Sequence, residues 1–215
     1  MGELKRRTDH RVALLLAPVL VPLTMTATFA GLGRLLGPRR GYNAGFLVYW
    51  VGWCGIFPLW VAGPRRIVRS LTTGARPSPF DAALLALPMI GAATTELLPN
   101  RRGIDKEVAA VMVGSAAINA VGEEVLWRGL YLDAFPDDLW NGAVWPTVGF
   151  VLWHLAPQVI LPSRRGRAPF LAGAAAVGAA ASRTAWHGRG LRWTLVPHIA
   201  TDACGVTAAR FRLGR

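Results

Sequence analysis

The stretch EVAAVMVGSAAINAVGEEVLWRG, residues 107–129, is apolar for most of its length and then sets Glu123, Glu124 and Arg128 close together. Its apolar part approaches the roughly 20 residues that a helix needs to cross a bilayer. Charged groups inside such a run are costly in hydrocarbon, so they mark a functional site by default. Six further apolar segments surround it, at 12–36, 44–63, 80–98, 141–161, 169–181 and 191–209. Arginine-rich breaks separate them. This alternation predicts an all-α, multi-pass transmembrane helical bundle of about six to eight spans in the cell membrane. The 169–181 piece is short and rich in Ala and Gly, which suits close helix packing. The break at 64–79, with Pro64, Pro77 and Pro79, is the longest loop. It divides an amino-terminal group of helices (1–79) from a core (80–215) that holds most of the unusual polar residues.

The net charge of +12 raises nucleic acid as a partner. The arginines argue against it. They lie in GPRRG (37–41), GPRRIVR (63–69), NRRG (100–103) and SRRGR (163–167), spread along the chain. That spacing fits lipid headgroups at both faces of a membrane and forms no single basic stripe. Alternate breaks carry equal shares of the Lys and Arg residues, so the count does not orient the protein. The basic start, with Lys5, Arg6 and Arg7, favours a cytoplasmic amino terminus, and the first apolar run reads as a retained span. Cys54 and Cys204 lack metal spacing and read as small buried hydrophobes.

Few acids or histidines fall inside apolar segments, and those that do concentrate. Glu123 and Glu124 end the 107–127 run, His154 lies in 141–161, and His198 and Asp202 lie in 191–209. Residues four apart on a helix share a face. Glu124 and Arg128 are so spaced, and so are Phe150 and His154. His198 and Asp202 make a third such pair, in which the acid would fix the tautomer of the imidazole. Glu123 points about 100° away from Glu124. Arg128 therefore holds one glutamate and leaves the other free, as a general base for water requires. Taken singly, each residue has a plain structural reading as an interhelical hydrogen bond, an ion pair or a cap. Together they outline a site between helices of a bundle. The tryptophans read as interface anchors or core.

EEVLWR (123–128) resembles the EExxxR motif of the CAAX protease and bacteriocin-processing family of intramembrane proteases. FVLWH (150–154) is similar to its FxxxH motif, and HIATD (198–202) to its HxxxN/D motif. The resemblance covers about residues 80–210. It implies an intramembrane endopeptidase acting on a membrane-associated peptide or protein. Glu123 would activate water, assisted by His154. His198 and Asp202 would occupy the positions that stabilise the oxyanion, and Glu124, Arg128 and Phe150 would support them. Asp202 departs from the asparagine of the eukaryotic branch, since an ionised carboxylate cannot donate to an oxyanion. Two histidines and a carboxylate are also a zinc ligand set, which here would be Glu123, His154 and His198. The family's glutamate-driven branch favours no cofactor. A second reading is a non-catalytic membrane partner, such as a bacteriocin self-immunity or scaffold protein, in which the same residues serve only structure.

Overall fold

A computed structural model describes Gly2–Arg215, with side chains from Asp9 onward. The side chains of Lys5, Arg6 and Arg7 lie outside the described residues. Among the described residues there are nine helices and no strand. They are α1 (Gly2–Leu36), α2 (Pro38–Val61), α3 (Pro64–Thr72), α4 (Pro79–Gly103), α5 (Lys106–Ala134), α6 (Trp145–Trp153), α7 (Arg167–Gly188), α8 (Leu195–Asp202) and α9 (Val206–Leu213). The chain is thus a helical membrane bundle, as the hydropathy pattern predicts.

Four helices, α1, α2, α4 and α5, are long and apolar enough to cross a bilayer. The 141–161 and 191–209 segments form shorter or broken helices, whereas 169–181 extends into its flanks as the unbroken 22-residue α7. The 191–209 segment breaks after Asp202, where Ala203–Gly205 turn the chain into α9. At about 1.5 Å per residue, α8 spans roughly 12 Å and cannot cross the hydrocarbon alone. The 64–79 break is not all loop, because its first half folds as α3, with Arg65, Arg66 and Arg69 exposed.

Local chemistry sets the helix ends. Gly37 (φ 77°) and Gly63 (φ 74°) take left-handed conformations, each followed by a proline that starts the next helix. Asp105 caps α5 by accepting from the backbone N–H groups of Glu107 and Val108. The bond from Val108, with help from Arg215, holds its carboxyl below the usual range. Threonines within α1 return their hydroxyls to carbonyls four residues back, as with Thr26 and Pro22 (2.7 Å).

Small residues let the helices approach closely enough to build the site. A Cβ on Gly149 of α6 would lie 2.6 Å from both Pro18 of α1 and the Trp127 ring. Likewise, a Cβ on Gly122 of α5 would lie 2.7 Å from the Cys54 side chain of α2. The second contact seats α2 against the turn of α5 that carries the glutamates. Gly149→Ala should destabilise the fold by about 1–3 kcal/mol, because the clash involves backbone and a fully buried indole. The helix propensity gained recovers less than about 1 kcal/mol. A lower unfolding midpoint in detergent checks this, and an unchanged midpoint contradicts the packing.

Candidate functional site

Glu123 and Glu124 end the regular part of α5. The helix then widens to π hydrogen bonding over Val125–Gly129. Such bulges recur at functional sites because they re-aim side chains. Both carboxylates are 0% exposed, and Arg128 is 1% exposed. Three charged groups this deep must find partners or be strongly destabilising.

Glu124 is fully engaged. Arg128 donates to it at 3.1 Å, Thr194 at 2.5 Å, and His198 through Nδ1 at 2.8 Å. The helical spacing of Glu124 and Arg128 thus translates directly into an ion pair. Arg128 also reaches the Ser182 hydroxyl at 3.3 Å and stacks over the Phe150 ring, 4.2 Å from its centroid. The pair belongs to a network across α5, α6, α7 and α8.

Glu123 is held on one side only. Its Oε1 accepts from the Trp153 indole at 2.6 Å and from the Tyr49 hydroxyl at 3.3 Å. Its Oε2 accepts no hydrogen bond and lies 3.4 Å from His198 Nε2. Trp127 donates to Tyr49 at 3.0 Å, and the Tyr49 and Trp153 rings stack 3.6 Å apart. The two glutamates do not face unrelated neighbours, as spacing on one helix suggests. They flank one imidazole, Glu124 at Nδ1 and Glu123 at Nε2.

This arrangement changes the expected role of Asp202. Its nearer oxygen is 3.7 Å from His198 Nε2, beyond hydrogen-bond reach. The acid that fixes the His198 ring is Glu124, because a carboxylate accepts and Nδ1 must donate to it. Asp202 Oδ2 instead accepts from Asn119 at 2.9 Å, and Asn119 accepts from Trp50 at 3.0 Å. Asp202 is also more open than its neighbours, with a side chain 25% exposed.

His154 caps α6. Its Nδ1 is 2.7 Å from the Phe150 carbonyl oxygen, which can only accept. Nδ1 therefore carries a proton, and in the neutral imidazole Nε2 has the lone pair. Phe150 lies edge-on to both imidazoles, at 4.7 Å from His154 and 5.8 Å from His198. His154 thus joins the site through that ring. The group whose ligand atoms lie within 4.8 Å of one another is Glu123, His198 and Asp202. It differs from the Glu123, His154 and His198 set that the motifs suggested for zinc.

Sequence reasoning missed several participants. Asn119 and Thr194 stand four residues before Glu123 and His198, so helical spacing could have found them. Trp153, read as core or interface, donates to the site. Tyr49 and Trp50, in the first 79 residues, gave no local signal at all.

Residues 105–204 match the family model described as type II CAAX prenyl endopeptidase Rce1-like. The matched stretch includes 123–128, 150–154 and 198–202, so the resemblance to the CAAX protease family is borne out over that region. No curated protein and no solved structure matches the chain. The match covers a little under half of the chain, and over that region the chain is similar to CAAX-type membrane proteases.

Proposed function

We propose, from the premise of this Rce1-like core, that the protein hydrolyses a peptide bond of a membrane-associated substrate with water activated by Glu123. The observation that carries the reading is the asymmetry of Glu123. One oxygen is held by Trp153 and Tyr49, and the other is buried, without a hydrogen bond, and beside His198. Water between that oxygen and a substrate carbonyl would pass a proton to Glu123 as its oxygen attacks carbon. The bare Nε2 of His154 suits the second water proton. His198 in its protonated form, its Nδ1 anchored by Glu124, offers Nε2–H to the oxyanion. Glu123 then returns its proton to the leaving nitrogen as the C–N bond breaks, releasing a carboxylate and an amine. Asp202 acts in this scheme by steering polar groups around His198 Nε2, with Asn119 holding it in place. A narrow fissure lined by Pro88, Ala181, Pro197 and Thr201 lies beside His198 between α4, α7 and α8.

The direct test offers reconstituted protein a panel of membrane peptides and identifies products by mass spectrometry, beside Glu123→Gln. Equal cleavage by both proteins removes Glu123 as the base. Trp153→Phe should lower kcat about tenfold to a hundredfold, since a hydrogen bond to a charged group contributes about 1.5–3 kcal/mol. Tyr49→Phe, with its longer bond, should lose less. If both variants turn over at the parental rate, the held oxygen plays no part in orienting the base.

One observation favours a second, metal-dependent reading. Glu123, His198 and Asp202 converge, and Glu124 stands behind His198 Nδ1 as a carboxylate stands behind many zinc-binding imidazoles. Those three residues would hold the ion, which would supply Lewis acidity for the carbonyl and for water. The metal-free reading expects cleavage to survive chelation in protein shown by elemental analysis to lack zinc. Loss of cleavage on chelation, restored by added zinc, decides for the metal.

A further inference from the structure

We propose that the cavity formed by the turn of α1 that carries His10, Arg11 and Leu14, by helix α3 and by the end of α5 binds the anionic headgroup of a membrane phospholipid. The cavity has a volume of about 780 Å³ and shares no residue with the polar cluster around Glu123. That size suits a headgroup with its glycerol. Arg11, Arg66, Arg69 and Arg189 line it, Asp133 is the one acid in the lining, and Arg189 also lies 4.0 Å from Asp137 outside it. Asp133 pairs with Arg66 at 2.9 Å. The charge excess therefore stays positive.

The arginines are not used up by the protein. Arg11 donates to the Ala134 carbonyl, and Arg189 donates to that of Pro136. A guanidinium has five N–H donors in a planar fork that matches phosphate oxygens, so each retains donors. Arg69 has no ion-pair partner among the described residues.

The setting argues for a lipid over a soluble anion. Leu14, Val61 and Leu130 give the cavity an apolar wall. Beside it, Trp60 is about half exposed, with its ring 4.7 Å from that of the lining residue His10. Val12, Leu16 and Leu59 are also about half exposed, so α1 and α2 offer apolar surface to acyl chains. Helix α3 has arginines on its open side, while Ile67 and Leu71 pack inward, as befits a helix lying at the headgroup level. Basic pockets between membrane helices hold lipid headgroups in this way.

The proposal does not depend on the protease reading, and its test needs no substrate. Full-length protein in neutral detergent would be titrated with phosphatidylglycerol carrying a fluorescent acyl chain, with phosphatidylcholine as comparison. Binding is followed by fluorescence anisotropy. Phosphatidylglycerol should bind at least about tenfold tighter than phosphatidylcholine, and Arg69→Ala should weaken it about fivefold, since one such arginine contributes about that factor. Arg66→Ala with Arg69→Ala should weaken it further. Arg165→Ala, remote and bonded to the Thr95 carbonyl, should leave it unchanged. Arg69 lacks a partner, so its loss should not unfold the protein, and an unchanged melting temperature verifies that. Equal binding of both lipids overturns the proposal. So does equal weakening by Arg165→Ala, which means diffuse surface attraction. Complete displacement of the lipid by an equal concentration of inorganic phosphate also overturns it, because the site would then serve a small free anion.

Discussion

Glu123→Gln protein is expected to fold like the parent and to cleave about 10²–10⁴ times more slowly. The amide is nearly isosteric and keeps a carbonyl oxygen for Trp153 and Tyr49, so the buried network on that side survives. What disappears is the basic lone pair on the open side. Glu123→Ala is a poorer probe, because it leaves the buried Trp153 N–H without its acceptor and mixes stability with chemistry. Single-turnover cleavage of one membrane peptide, measured beside thermal unfolding, separates the two effects. A variant within a few-fold of the parental rate and equally stable would remove the glutamate-driven mechanism. It would also strengthen the non-catalytic reading, in which these residues serve only packing.

Loss of Arg128 should act in the opposite sense, on the fold before the chemistry. Arg128→Ala is expected to destabilise the protein by about 3–5 kcal/mol, as when one partner of a buried ion pair is removed. Its guanidinium is sealed from solvent, pairs with Glu124, reaches Ser182 and lies over Phe150. Without it, Glu124 keeps only Thr194 and His198 as donors, and Phe150 loses the plane it stacks on. Arg128→Lys should recover part of the loss, since an ammonium can meet Glu124 but cannot also reproduce the planar guanidinium's bond to Ser182 or its flat contact with the ring. Unfolding in detergent measures both variants. A change below about 1 kcal/mol for Arg128→Ala means that the ion pair does not hold the site together. Together, Glu123→Gln and Arg128→Ala divide neighbouring charged positions into one that reacts and one that supports.

The polar framework of the site could be read before folding. Glu123, Glu124, Arg128, Phe150, His154, His198 and Asp202 stand out as polar or aromatic positions at helical spacing within apolar runs. The ion pair of Glu124 and Arg128 follows from the four-residue step alone. Other links escaped notice because they cross between helices. Tyr49 reaches Glu123 over 74 residues of chain, and His198 reaches Glu124 over the same separation. No periodicity within one helix specifies which neighbour lies opposite. The expected pairing of His198 with Asp202 shows the difficulty. Their spacing is right, yet α5 brings Glu124 to Nδ1 at 2.8 Å, while Asp202 stays 3.7 Å from Nε2.

The sequence by itself determined the membrane-helical class, the order of the apolar segments, and the residues that cannot rest in lipid without a purpose. These are local properties, carried by composition and by a period of 3.6 residues. Only the tertiary structure decided which oxygen of Glu123 is held and which is open, which acid orients His198, and that α2 belongs to the site. Those depend on how closely helices approach, and here that approach is set by contacts such as Gly122 against Cys54 and Gly149 against Pro18.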